Sequence, residues 1–350
     1  MKFLYRRLVK RFFFHLPSVV LWHMDRNSTS AFRNRALLAF GWFFFLFHSG
    51  ESNAQPQPFP HQVSVQTEND RYMFKGKDGY YTNGLTLQYT KSLAPKPNYT
   101  KRLHQFEVGQ KIFMPYSRKI YVPEQIDRPV TGYLFFKFTR SAFRSPNTLW
   151  QWGLSVDAIG DASGARQVQN TFHNWINLNS NWWGWVWDYQ LNSQLGANLH
   201  GQFAKALLKG ANASRFQVIP VTKATLGTSF TNISQGLVLQ VGHLAAQAQS
   251  AYWNATPGSV ADKKWEWAFY YHPEVLYQAY NATIQGGLFR DQKGPITADP
   301  EPLVISHQAG FFISGGRYQA RLAANFQSKE AKTQRFSQSY GSVQVAYRFR

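Results

Sequence analysis

Val343-Gln344-Val345-Ala346-Tyr347-Arg348-Phe349 runs almost to the end of the chain, and every second residue is large and apolar. A period of two is the signature of a β-strand whose two faces meet different surroundings. The same alternation recurs upstream. Val63, Val65 and Thr67 alternate with Ser64, Gln66 and Glu68; Leu85, Leu87 and Tyr89 alternate with Thr86, Gln88 and Thr90. Trp150, Trp152, Leu154, Val156 and Ala158 alternate with Gln151, Gly153, Ser155 and Asp157. Trp185, Trp187, Tyr189 and Leu191 repeat the pattern against Val186, Asp188, Gln190 and Asn192. The apolar members are heavily aromatic, as in the interfacial girdles of a membrane barrel rather than in a soluble sandwich. A last strand ending on Phe349 is expected to pair with the first, because an open sheet edge in lipid leaves backbone groups unsatisfied.

Further strands are expected near 103–114, 130–140, 195–208, 214–230, 233–245, 264–281, 302–315 and 317–328. Several reach the roughly 9–11 residues of a tilted membrane strand. The expected fold is all-β: a transmembrane antiparallel β-barrel of about twelve strands, within the size range of bacterial barrels.

The N-terminus reads as a targeting segment. Arg33 and Arg35 precede a 12-residue apolar run, Ala36 to Phe47, and Ser52-Asn53-Ala54 offers a small-x-small cleavage pattern. That run is too short for a membrane helix and suits a signal peptide. Residues 1–54 are therefore expected to be a cleaved leader and 55–350 the barrel. The chain has no cysteine, which excludes disulfides and thiolate metal sites. Of its 38 Lys/Arg and 18 Asp/Glu, the leader holds 8 and 2, which leaves 30 and 16 and a formal net charge of +14. Such an excess suits a polyanionic partner, for a secreted chain anionic lipid or lipopolysaccharide phosphates rather than nucleic acid.

One stretch breaks the strand rhythm. From Ala165 to Leu178, Val168, Phe172, Trp175 and Ile176 fall at helical spacing, and Gln169 and His173 stand four apart. A short helix in a loop between two strands is expected. His173 supplies a group that titrates near neutral pH. Thr67-Glu68-Asn69-Asp70 and Tyr80-Tyr81-Thr82-Asn83-Gly84 bring carboxylate, amide and hydroxyl together across one hairpin. By strand parity Asp70 and Thr82 share the polar interior, while Asn69 needs a twist or bulge to join them. A water-activating histidine beside such groups suggests hydrolysis by general-base catalysis. The oxygen donors suit a hard cation such as calcium, which stabilises an oxyanion. Polar side chains also line every barrel lumen for structural reasons.

These runs resemble the outer-membrane lipid A 3′-O-deacylases. The resemblance is carried by Thr67–Asp70, Asp78–Leu85, Gly109–Pro115, Asp127–Leu134, Gln169–His173 with Gly184-Trp185, and Tyr280–Gly287, in the family's order. It implies a monomeric twelve-stranded outer-membrane barrel that acts on lipid A of lipopolysaccharide among outer-membrane lipids. It implies removal of the 3′-linked acyloxyacyl group with calcium as cofactor. His173 would be the base, with Asn69, Asp70 and Thr82 lining the site; Asp70 would bind calcium or orient the base. Gln169 would help hold substrate. Arg118 or Lys119 would stand for a family lysine or act as phosphate-binding rim charges. Lipid A lies in the outer leaflet, so the site should open sideways to lipid at the outer rim. The family's acidic residue after the histidine is missing: Asn177-Leu178-Asn179-Ser180-Asn181 holds no carboxylate. That departure keeps two other readings in play, a non-catalytic barrel such as a porin or an inactive member, and an outer-membrane phospholipase.

Overall fold

The computed structural model describes residues 59–73, 79–116, 120–175, 185–259 and 265–350. The expected leader, residues 1–54, lies outside them. The described chain forms twelve strands: β1 (His61–Asn69), β2 (Tyr80–Ser92), β3 (Lys101–Met114), β4 (Thr131–Ser145), β5 (Thr148–Ile159) and β6 (Gln194–Lys205), then β7 (Phe216–Gly227), β8 (Phe230–His243), β9 (Trp265–Asn281), β10 (Leu303–Gly315), β11 (Tyr318–Gln327) and β12 (Gln338–Phe349). Each pairs antiparallel with its sequence neighbours, and β1 pairs with β12 to close the barrel. The closing register runs from His61 opposite Phe349 to Asn69 opposite Gly341.

The alternation has the cause that the sequence suggests. On β1, Val63 and Val65 are exposed outward while Gln62 and Ser64 are buried in the lumen. On β5, Trp150, Trp152, Leu154 and Val156 face outward, and Ser155 and Asp157 are buried. On β12, Val345 and Tyr347 are exposed and Gln344 and Arg348 buried. Among the described residues no helix is long and apolar enough to cross a membrane.

One expected strand is absent. Trp185–Asn192 contains a 3-10 turn, Val186–Tyr189, with Val186 and Trp187 fully buried. The aromatic alternation there serves packing against the wall, not membrane exposure. The expected helix is present as α1 (Ala165–Trp175). Its stripe is shifted, however: Ala165 and Gln169 are buried whereas Val168 is 49% exposed.

The two barrel ends differ. The chain leaves β12 at one end, which also carries the short connections 146–147 and 316–317. The opposite end carries 70–79, 115–130, 160–193, 282–302 and 328–337, and only 228–229 is tight there. At the terminus end the β8–β9 connection folds into the lumen as a plug. Tyr252 and Trp253 pack with Leu103, Phe143, Leu149 and Phe312 in one buried cluster. Arg321 Nη2 donates to the carbonyls of Ala251 and Tyr252 at 2.8 and 2.6 Å, and its guanidinium stacks 5.0 Å from the Tyr252 ring. Gln319 Nε2 donates to Asn254 Oδ1, Asn254 Nδ2 to Gln88 Oε1, and Thr256 Oγ1 to Gln62 Oε1, at 3.0, 3.1 and 2.8 Å. Above the plug remains a polar cavity of about 150 Å³ lined by Glu68, Glu107, Lys111, Asn254, Arg321 and Gln344 among others.

A barrel stoppered by paired polar groups and a packed aromatic cluster should not conduct ions. The full chain in planar bilayers is expected to give no steady conductance, and a stable ohmic pore would overturn this account of the lumen.

Candidate active site

β1 ends where Asn69 Oδ1 accepts the Arg71 amide at 2.8 Å, an Asx turn that starts the 3-10 turn Asp70–Met73. Asp70 is 4% exposed and its Oδ2 accepts the Gly79 amide at 2.9 Å, which pins the far end of the connecting loop. Asp70 thus lies beyond the strand, and strand parity does not place it in the lumen. Asn69 has the outward parity of Val63 and Val65, and it pairs with Asn83 of β2. Thr82 is the extra residue of a β-bulge: Tyr81 is opposite Phe113 and Asn83 opposite Ile112. The bulge removes the parity argument for Thr82 as well. Its Oγ1 donates to the Ile112 carbonyl at 3.3 Å. Asn69, Asp70 and Thr82 therefore stand together at the long-loop end of β1–β2, but not through a shared lumenal face.

What fixes the bulge is on its lumenal side. The Tyr81 hydroxyl donates to Glu68 Oε2, and Gln66 Nε2 donates to Glu68 Oε1 at 3.0 Å. Lys111 Nζ lies 4.0 Å from the same carboxylate and 5.4 Å from the Tyr81 ring centre. Tyr81 reaches Glu68 by folding back over Gly84, where any Cβ would collide with the phenol. The run Tyr81-Thr82-Asn83-Gly84 is thereby explained: the glycine makes room, the tyrosine ties β2 to β1, and the threonine is held at the bulge. Sequence reasoning missed Glu68 and Tyr81 as a pair; the glycine three residues after the tyrosine was the available signal.

The loop helix stands against the outside of the wall. Ile112 shares the outward parity of Phe106 and Val108, yet it is 2% exposed, because Ala165, Val130, Val186 and Trp187 cover it. Gln110, on the same face, donates through Nε2 to the Ser163 carbonyl at 2.7 Å. A Cβ at Gly132 of β4 would strike Ser163 and Ala165, so a glycine is what lets the helix start this close. Gln169 is buried and its Oε1 accepts Trp187 Nε1 at 2.9 Å, which makes it a strut of the helix. Position 173 lies one turn further along the row 165–169 of α1. The side chain of His173, and Arg118, Lys119 and Asn177–Asn181, lie outside what is described.

Asp127 and Arg128, side by side, gather the loops above. Tyr80 begins β2 in the left-handed region, φ 54°, a strained conformation for a bulky residue. Its hydroxyl donates to Asp127 Oδ2 at 2.6 Å and accepts the Arg335 and Phe336 amides at 3.0 and 3.2 Å. Arg128 is fully buried, and burial lowers its pKa while Glu330 pulls it back up. Its Nη2 donates to Glu330 Oε2 and to Thr283 Oγ1 at 3.3 and 3.2 Å, and the guanidinium lies 4.1 Å from the Phe113 ring centre. Three connections, 115–130, 282–302 and 328–337, thus meet on two adjacent residues.

Substitution at the clamp should register as stability. Gly84→Ala drives the Tyr81 ring off Glu68 and is expected to cost about 1–3 kcal/mol, as overpacking does. Tyr81→Phe keeps the ring but removes the donor, with an expected loss of about 1–3 kcal/mol. Equilibrium unfolding in denaturant, followed by tryptophan fluorescence, measures both. If neither moves by more than about 0.5 kcal/mol, the clamp does not hold the bulge.

A family profile and one solved structure agree with this architecture. The profile of a family described as "Outer membrane protein LpxR" matches residues 38–349. The solved structure of LpxR from Salmonella typhimurium is 18% identical, with a TM-score of 0.67, covering 82% of this chain and 100% of that one. The beta domain of the Bordetella autotransporter BrkA is 7% identical with a TM-score of 0.45, covering 84% and 100%. The KdgM porin in complex with disordered oligogalacturonate is 8% identical with a TM-score of 0.38, covering 83% and 99%. No curated protein matches. The match along nearly the whole barrel, on a closed sheet of twelve strands, shows that the chain belongs to the LpxR family of outer membrane proteins.

Proposed function

We propose that the chain is an ester hydrolase that removes the 3′-linked acyloxyacyl chain of lipid A, with the site open to lipid at the outer rim. The observation that carries this reading is the position of α1. It lies against the outward face of β3 and β4, beside the hairpin end that bears Asn69, Asp70 and Thr82, while the lumen is stoppered. Longer loops on bacterial barrels face outward, which supports a site at the leaflet where lipid A resides. The alternative of a porin is disfavoured by the plug.

In this reading His173 takes a proton from water as the water oxygen attacks the ester carbonyl. The ester C–O bond then breaks, and the proton passes to the departing sugar oxygen, leaving a free hydroxyl and a fatty acid. Asp70, buried and held by Gly79, either binds a metal or orients the base. Carboxylate, amide and hydroxyl oxygens are the donors a hard cation takes. Calcium held by Asp70 with Asn69 or Thr82 would stabilise the oxyanion. Arg118 or Lys119 would bind a glucosamine phosphate as a point charge. Residues 1–54 would be removed on export.

Mass spectrometry of lipid A from cells with and without the chain tests the activity. Loss of the 3′ acyloxyacyl group, abolished by chelating calcium, is expected. His173→Ala should lower the rate by about 10²–10⁴-fold, the usual worth of a general base. Unchanged lipid A with the chain folded in the membrane would sink the deacylase reading. Release of phospholipid acyl chains instead would assign a phospholipase. Full activity in His173→Ala would overturn the mechanism but not the substrate.

A further inference from the structure

Among the described residues both ends of the barrel carry Lys and Arg, but at the end away from the candidate site they stand almost without acidic counterparts. At the terminus end Lys91, Lys96, Arg144, Lys205, Lys209 and Arg215 are exposed, and Arg317 and Arg350 add to them. Among the described residues of that end the acidic group is Glu266. It is 5% exposed and its oxygens accept the Ala251 and Ala245 amides at 2.7 and 3.2 Å, beneath the plug. The long-loop end is mixed by comparison. Asp161, Asp188 and Asp299 are exposed there, and ion pairs form between Arg166 and Asp188 at 3.0 Å and between Lys332 and Asp299 at 3.5 Å.

The depth of these cations is the second observation. Trp150, Trp152, Trp265, Trp267, Phe269 and Tyr347 form an exposed aromatic girdle near the terminus end. Such belts sit at the headgroup level. Lys91 follows Tyr89 on the outward face of β2, and Lys205 follows Phe203 on the outward face of β6, each two residues nearer the barrel end. Two residues of strand are about 7 Å. The ammonium groups therefore stand just past the girdle, where long side chains lay their stems along apolar surface and extend the charge into the headgroup layer. Arg317 ties the ring to the girdle: Nη1 donates to the Tyr347 hydroxyl at 2.9 Å, and its guanidinium lies 4.8 Å from the Phe59 ring centre.

We propose that this ring of Lys and Arg is a binding surface for anionic phospholipid headgroups, phosphatidylglycerol or cardiolipin, in the leaflet opposite the one that holds lipid A. The short connections put the terminus end on the periplasmic side, and the leaflet there is phospholipid. A phosphodiester at that depth meets several cations, while the described side-chain carboxylate of that end, Glu266, is buried. The surface would hold the barrel at a fixed depth and keep an annulus of anionic lipid around it.

The full chain, reconstituted in vesicles of equal phosphatidylglycerol and phosphatidylcholine and extracted with a small lipid annulus, gives the test. Quantified annular lipid is expected to be enriched in phosphatidylglycerol by about threefold or more at low salt, and the enrichment should fall as salt screens the ring. A Lys91→Gln, Lys96→Gln, Lys205→Gln, Lys209→Gln variant is expected to lose it. An Arg290→Gln, Lys329→Gln, Lys332→Gln variant at the other end is expected to keep it. Heat-modifiable electrophoretic mobility confirms that each barrel is folded. If the fourfold variant does not fold, the wild-type chain alone decides, since no enrichment in it overturns the proposal. Enrichment that survives the fourfold change, or is lost equally in the opposite-end variant, also overturns it. Displacement by inorganic phosphate but not by chloride at equal ionic strength would assign the ring to free phosphate and overturn the lipid proposal.

Discussion

The pairing of β1 with β12 is the constraint on which everything else rests. In hydrocarbon no water is present to satisfy an unpaired amide or carbonyl, so a sheet survives only if its edges meet. Nine residue pairs, His61–Phe349 to Asn69–Gly341, make that join. Once it is made, each strand has one face in lipid and one in an enclosed lumen. The lumen must then be filled or its polar groups matched, because a buried unpaired donor costs as much as a lost hydrogen bond. The chain does both: Gln, Ser and Asn side chains pair across the interior, and the 244–259 segment turns inward to occupy the terminus end.

The long-loop end is organised differently. Loops there are long, and loops alone carry little cohesion. Asp127 and Arg128 supply it by placing a carboxylate and a guanidinium where three connections converge. A buried guanidinium is costly unless its donors are engaged. Here Thr283 and Glu330, from distant parts of the chain, engage Nη2 and the Phe113 ring covers the guanidinium, although Nε is left without a partner. Beneath these loops, α1 is placed by close approach at Gly132 and by the Gln169–Trp187 strut.

The barrel was legible because lipid enforces a strict period of two, and ten or so repetitions of it are hard to imitate. The one false strand, Trp185–Leu191, shows the limit. Large residues at alternate positions also occur where a loop must cover a wall, and composition does not tell lipid from protein as the covering medium. The neighbourhood of the candidate residues was legible: Asn69, Asp70 and Thr82 do lie at one hairpin end, and positions 169 and 173 do lie on a helix. Its orientation was not. Parity holds only while a strand remains regular, and both site segments depart from regularity, at the turn after Asn69 and at the Thr82 bulge. The Tyr81–Glu68 tie is a contact between side chains thirteen residues apart, fixed by a missing Cβ at Gly84, and no periodicity reports it.

The inward segment between β8 and β9 has a consequence for assembly. Its seat is built from Gln62 on β1, Gln88 on β2, and Gln319 and Arg321 on β11, strands from the two extremes of the chain. Those extremes become neighbours only when the cylinder is sealed. A segment encoded in the middle of the chain therefore completes its polar seat only when the first and last strands have met. Its complete seat reports closure: the apolar pocket of Tyr252 and Trp253 comes from β3, β4, β5, β9 and β10, and only a sealed cylinder adds Gln62 and Gln88 opposite Gln319 and Arg321.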